Sequence, residues 1–150
     1  MIGNSVTENL GGPVLVEAIL LSNVQKVRTL KRQISVVLKS GKSFEKFYHS
    51  YKSLSVLTEE QQGNSSLYKH TIKFRIPRET FSLTSSIDAF VGNPVMLKVT
   101  FSSGVVKVYG TFDFPVYISY VPTLQDSPSS YNGVEVTCQG FSTQSGWFQV

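Results

Sequence analysis

The chain has 150 residues, of which 41% are apolar and 12% aromatic, and this size suits one compact domain with its own core. Only 16% of the residues are charged, against about 25% in an average globular protein, which argues against disorder and against a long solvated helix. The formal net charge is +4, and Cys138 is the only cysteine, which excludes an intrachain disulfide and a multi-cysteine zinc site. We therefore expect a single β-rich domain over residues 1–150.

The first residues do not have the pattern of a signal peptide. Residues 1–12 contain no Lys or Arg and include Glu8, and the apolar stretch 14–21 is short and interrupted by Glu17. We expect residues 1–12 to form an N-terminal arm. We also expect that the chain has no membrane span and is not exported through a signal sequence.

The first half of the chain predicts strands separated by polar turns. The nearly continuous apolar stretch 14–21 suits a buried strand, and the alternation over 32–39 suits a half-buried strand. Residues 44–51 carry aromatic side chains at a spacing that would also fit a helix, but their composition favours a strand. Residues 54–57 continue the apolar pattern, and the polar stretch 58–66 is predicted to be a mobile loop.

The second half of the chain predicts one helix among further strands. A short helix is expected near residues 83–91, with Thr84 or Ser85 as its N-cap and Gly92 at its C-terminal end. Alternation or apolar content predicts strands at 68–76, 95–101, 105–109, 116–121 and 134–139, of which the second and third form a hairpin. Residues 122–133 contain two prolines and are predicted to be a long surface loop.

These elements together predict a mainly β (α+β) protein. The expected architecture is an antiparallel β-sandwich or barrel-like domain with one short helix near residues 83–91.

Charge is distributed unevenly along the chain. Residues 1–78 hold 12 Lys or Arg against 5 acids, a balance of +7, whereas residues 79–150 hold 2 against 5, a balance of −3. The basic excess predicts a patch that faces a partner or DNA, made of Lys26, Arg28, Lys31, Arg32, Lys39 and Lys42. Such side chains can also simply be solvated on exposed strands, where they resist aggregation. Between the two partners we favour protein, because no recognised nucleic-acid motif accompanies the basic residues.

Residue types that perform catalysis are scarce. His49 and His70 are the only histidines, and His70 lies on the apolar side of the strand predicted over 68–76, which favours a hydrogen-bonded structural histidine. Cys138 is interpreted as a small core or edge residue, and the Glu59-Glu60 pair as solvated loop charge. No phosphate-binding, dinucleotide-binding or calcium-loop pattern occurs. We therefore expect no enzymatic activity, no cofactor, and no catalytic, cofactor-binding or metal site.

A resemblance to a known group of proteins begins at residues 63–77, a Gly-initiated strand that ends in Pro. The segments that follow are a short helix, Gly92-Asn93-Pro94-Val95-Met96-Leu97-Lys98-Val99-Thr100, then Tyr109-Gly110-Thr111 and Phe114-Pro115-Val116. This order of elements, over roughly residues 54–142, resembles short virion structural proteins of tailed phages and prophages of Bacteroides-type gut bacteria, including crAss-like phages.

The resemblance implies a structural subunit of the phage tail, or of the neck that connects head and tail, assembled as a ring of identical copies. Its partners would be copies of itself and neighbouring tail or portal-side virion proteins, with non-specific DNA contact as a further option. It would be located in the virion and assembled in the host cytoplasm. Two other functions remain open: a nucleic-acid-binding β-domain, and a carbohydrate-binding or adhesive module that uses Trp147, Tyr131 and loop aromatics.

Overall fold

A computed structural model describes residues 11–50, 52–61, 67–77, 81–123, 133–144 and 146–149. Within these residues the chain forms eleven strands, one turn of 3-10 helix (Leu21–Asn23) and one α-helix, α1 (Phe81–Asp88). The strands are β1 (Pro13–Leu20), β2 (Val24–Leu30), β3 (Gln33–Leu38), β4 (Glu45–Phe47), β5 (Ser55–Glu60), β6 (Tyr68–Ile76), β7 (Val95–Phe101), β8 (Val106–Tyr109), β9 (Val116–Thr123), β10 (Gly133–Ser142) and β11 (Trp147–Gln149).

All eleven strands belong to one hydrogen-bonded sheet. Its main path runs β2-β3-β11-β8-β7-β9-β10-β6-β5, and β1 joins β7 to the short strand β4. Every pairing is antiparallel except the one between β11 and β3. The predicted mainly β class with a single short helix is confirmed, and the arrangement is consistent with a β-sandwich or barrel-like fold.

The central strand β7 is buried on both of its faces in its first part. Leu97 and Val99 on one side belong to a cluster that includes Ile72 and Phe74 of β6. Met96 on the other side belongs to a second cluster, whose other members are Ile19, Leu21, Val24, Ile34, Val108 and Trp147. Because both faces are buried only from Val95 to Leu97, the strand starts with three apolar residues, and its second face then becomes polar at the half-buried Lys98 and Thr100.

Strand β7 connects the part of the sheet that begins at β2 with the part formed by β9, β10, β6 and β5. This connection depends on a close approach of two backbone segments at Gly110. Strand β9 meets β7 at the single pair Val95–Val116. Gly110 has a φ of +94°, and a Cβ built there would lie 2.5 Å from the carbonyl oxygen of Val95. Only glycine combines this backbone conformation with this close approach. The turn after β8 therefore requires glycine at position 110.

Two strands of the first half differ from the sequence-based prediction. Strand β2 was not predicted at all, because a register shift between Val24 and Lys26 interrupts the alternation and because most of its side chains are exposed. The prediction of a loop over 58–66 is wrong for residues 58–60, which form the second half of β5. An edge strand with one solvated side can carry charged residues without losing its pairing.

The helix and the loop 122–133 have different bounds from those predicted. Helix α1 covers 81–88 rather than 83–91, so Thr84 and Ser85 lie inside it rather than at its N-cap. A hydrogen-bonded turn follows, with Val91 N donating to Ile87 O, and Gly92 then has a φ of +80°. Strands β9 and β10 extend into the predicted loop, through the pairs Thr123–Gly133 and Pro122–Val134, and the rest of it lies outside the described residues.

Most of the other predicted strands are present in the structure. Strand β6 has the predicted bounds, β1 and the β7–β8 hairpin lie where they were expected, and the strand predicted over 44–51 shortens to β4. Most of the predicted N-terminal arm, residues 1–10, lies outside the described residues. In the part of the chain that is described, helices are too short or too polar to cross a membrane.

Candidate interaction edges of the sheet

The β2–β3 hairpin forms one end of the sheet and carries most of the predicted basic patch. Its register pairs Arg28 with Ser35 and Leu30 with Gln33. Because side chains alternate along a strand, Arg28 and Leu30 share one face, whereas Val27 packs on the second apolar cluster. The outward face of β2 is therefore basic, apart from an exposed leucine.

All six predicted patch residues are exposed, but they do not form one compact cluster. Lys26 and Arg28 lie in the middle of β2, Lys31 and Arg32 form the turn to β3, and Lys39 and Lys42 lie at the opposite end of the hairpin. Strands of this length are about 20 Å long. The prediction of an exposed basic segment thus corresponds to a ribbon along one hairpin rather than to a pocket.

The tip of this hairpin is held against β11. Phe148 N donates to the Arg32 carbonyl oxygen at 2.8 Å, and the Arg32 guanidinium lies 5.5 Å from the Phe148 ring centroid. Lys107 Nζ lies over the same ring, at 4.9 Å. Burial, and to a lesser extent the Arg32 charge, lowers the pKa of Lys107. These contacts fix where the basic turn is presented.

Strand β5 forms the opposite end of the sheet, and it carries carboxylates. It pairs only with β6 among the described strands, in a register that puts Leu57 opposite Thr71 and Glu59 opposite Lys69. Leu57 is 55% exposed, and Glu59 and Glu60 are exposed. Within the described part of the chain, Glu59 forms no ion pair, and neither does Arg28 on β2.

Among the described strands, β2 and β5 thus each have a partner on one side only. The backbone N–H and C=O groups that point away from a sheet edge can bond to water or to a strand of another molecule. Strand β4 is a third edge, beside β1, but it has only three residues. The two long open edges are those with opposite charge.

His70 occupies the buried position that the alternation of β6 predicts. Its Nδ1 accepts from the Thr58 hydroxyl at 3.0 Å, and its Nε2 lies 2.7 Å from Ser142 Oγ and 3.1 Å from the Gln144 carbonyl oxygen. A carbonyl only accepts, so Nε2 carries the proton. Burial is the main reason that the pKa of His70 is lowered, with a smaller effect of the Lys107 charge, whereas the Gln144 bond raises it. The geometry is that of a satisfied structural histidine, as predicted.

The other residues considered for a reactive or binding role are mostly buried, and the described ones do not form a metal site. Cys138 is completely buried on β10, and this burial raises the pKa of its thiol to about 12. Trp147 is 6% exposed and belongs to the second apolar cluster, so its ring faces cannot serve as a sugar platform. Among the described residues, no group of three or more His, Cys, Asp or Glu side chains could hold a metal ion. Tyr131 lies outside the described residues.

Comparison of the chain with protein-family models, with curated proteins and with solved structures gives no match. The candidate site is therefore defined by the two edges alone. Glu59 and Glu60 were assigned to a loop, so the acidic edge was missed. The stretch Val56-Leu57-Thr58, directly before them, is rich in β-branched and apolar residues and was the signal for a strand that continues into the charges.

Proposed function

We propose that the protein is a structural subunit of a phage virion, in the tail or the head-to-tail neck, that assembles into a homo-oligomeric ring. The observation that carries the proposal is that the described strands form a sheet whose two ends are long edges without a second strand partner, one basic and one acidic. Two different surfaces that fit each other make a head-to-tail contact, and such contacts close into rings when the rotation per copy divides a full turn.

The resemblance over residues 54–142 supports the virion assignment, and the open edges support self-assembly. Neighbouring tail or portal-side proteins would bind the surfaces that the ring leaves free. The buried polar residues His70 and Ser142 fit a structural role, because they are hydrogen-bonded to each other inside the fold.

Light scattering coupled to size-exclusion chromatography, with negative-stain microscopy of the same fractions, tests the proposal. We expect a discrete closed oligomer at low salt that dissociates as salt screens the exposed charges. A monomer at every concentration and salt tested would contradict it.

A nucleic-acid-binding domain is the second candidate, because the exposed cations of the β2–β3 hairpin form a ribbon that could follow a phosphate backbone. Gel shifts with single-stranded and double-stranded DNA at increasing salt distinguish it. Binding by a monomer, abolished by Lys26→Glu and Arg28→Glu, would favour this function over the ring.

A further inference from the structure

The two outermost strands of the sheet have matching patterns of side chains. On the outward face of β2, Arg28 is followed two residues later by Leu30, which is 69% exposed. On the outward face of β5, Leu57 is followed two residues later by Glu59. Each strand thus presents one exposed leucine with a charge two residues away, and these two charges are opposite; β2 carries a second cation, Lys26, on the same face.

We propose that β2 of one copy pairs antiparallel with β5 of the next copy, with Leu30 opposite Leu57 and Arg28 opposite Glu59. This inference rests on the proposed self-assembly, and it names the surfaces and the register that join the copies. The partner is a second copy of this chain, because the complementary charges lie on one and the same molecule.

The register follows from the spacing of the side chains. When Leu30 lies opposite Leu57 in an antiparallel pair, Arg28 automatically lies opposite Glu59. A parallel pairing that joins Arg28 to Glu59 would instead put Leu30 opposite Gln61. A slip by one residue would move the whole outward face of β2 to the inward side of β5. One antiparallel register therefore satisfies both the leucines and the charges.

Pairing of like edges satisfies the charges less well. Two antiparallel β2 strands with Leu30 opposite Leu30 would put Arg28 opposite Arg32, and like charges directly opposite each other destabilise a strand pair. Two antiparallel β5 strands with Leu57 opposite Leu57 would put Glu59 opposite Ser55, which gives the carboxylate no opposite charge across the joint. Only the β2–β5 joint pairs leucine with leucine and cation with carboxylate, so we expect a head-to-tail contact to which every copy contributes one edge of each kind.

Two single-cysteine substitutions, each introduced into a different chain, test the register of the proposed β2–β5 pair. Cα atoms opposite each other in an antiparallel pair are about 4.5–5.5 Å apart, a separation that a disulfide can bridge. We expect a mixture of the Leu30→Cys chain and the Leu57→Cys chain to form a disulfide-linked dimer on mild oxidation, and neither chain to cross-link alone. Ser55→Cys in place of Leu57→Cys is the matched control, shifted by two residues, and should cross-link about tenfold less. The native Cys138 is buried and stays reduced.

The outcomes separate this inference from the proposed function. Cross-linking of the Leu30→Cys chain alone would overturn the head-to-tail joint in favour of a symmetric β2 contact. An oligomer that persists without the mixed cross-link would overturn the pairing and leave the ring subunit standing. A wild-type protein that stays monomeric would overturn both, and would mean that the edge charges serve to prevent association.

Charge reversal gives an independent readout. Arg28→Glu and Glu59→Arg should each weaken self-association about tenfold or more, because each puts like charges opposite each other. A mixture of the two variants should self-associate again with the variants alternating, since each supplies the edge that the other has lost, and a ring closes when the number of copies is even. Lys73→Glu is the control: Lys73 is exposed on β6, inside the sheet rather than at its edge, and its reversal should leave assembly unchanged. Failure of the mixture to assemble would contradict the joint.

Discussion

Strand β7 and the two edge strands β2 and β5 belong to the same sheet but experience opposite environments. β7 lies between β1 and β8, and its residues Val95 to Leu97 are completely buried. On β2 and β5, by contrast, one exposed leucine shares the outward face with charged residues. The centre therefore supplies the stability of the fold, whereas the edges are free to serve association.

Truncation of a leucine at the two places should have very different consequences. Leu97→Ala removes a completely buried side chain of β7 and should lower the free energy of unfolding by about 2–5 kcal/mol. Leu57→Ala, the matched control on β5, should change it by less than about 0.5 kcal/mol in the dissociated protein. Urea unfolding at low protein concentration measures both. Equal losses would mean that the edge is part of the core.

The link between the sheet's two parts can be broken by one methyl group. Gly110→Ala adds a Cβ that would lie 2.5 Å from the Val95 carbonyl oxygen, at a φ of +94°. Gly104 has a φ of +91° but open space around a Cβ, so Gly104→Ala is the control for backbone strain alone. We expect Gly110→Ala to cost about 1–3 kcal/mol more than its control, by thermal unfolding. Similar losses would show that the close approach has no energetic weight.

Acid should weaken the contact of β5 with β6 through His70. The folded-state pKa of His70 is lowered from 6.5, mainly by burial, so below pH 6.5 the unfolded chain binds a proton that the folded chain does not. Stability is therefore fully present above pH 6.5 and falls as the pH drops below it.

Unfolding free energies measured between pH 7.5 and about pH 5 test this effect. His70→Gln keeps a donor and an acceptor but does not titrate, so it should flatten the profile in this range. His49→Gln is the matched control and should retain the fall. A wild-type profile with no fall below pH 6.5 would contradict the role given to His70.

At the tip of the basic hairpin, we expect a substitution that raises the free energy of unfolding slightly instead of lowering it. Lys31 has a φ of +56°, in the left-handed region that favours glycine. Lys31→Gly should raise the free energy of unfolding by about 0.5–1 kcal/mol, since relief of the strain exceeds the added freedom of the unfolded chain. Lys39→Gly, where φ is not positive, should lower it instead. A loss of stability at Lys31→Gly would show that this turn is not strained.

The sequence predicted the interior of the fold better than its edges, for a physical reason. β6 alternates because one side faces the core, so its bounds could be taken directly from its side chains. β2 has no such constraint along most of its length, and the register shift near Gln25 interrupts what alternation remains. The charges of Glu59 and Glu60 likewise suggested a loop.

For the candidate site, the sequence predicted which residues are exposed and charged but not where they lie in the sheet. The exposed basic residues were recognised from charge alone, because lysines and arginines on a small domain are rarely buried. Their place at one end of the sheet was not, since the strand order depends on pairings between distant residues. The complementary position of β5 at the other end follows only from that order.

Hydrogen–deuterium exchange, compared between concentrations at which the protein is assembled and dissociated, tests most directly whether the two open edges join copies. The account predicts that amides of 24–30 and 55–60 gain protection together on assembly, whereas β7 stays equally protected in both states. Protection that appears in only one of these strands, or elsewhere on the molecule while both remain fast, would contradict it.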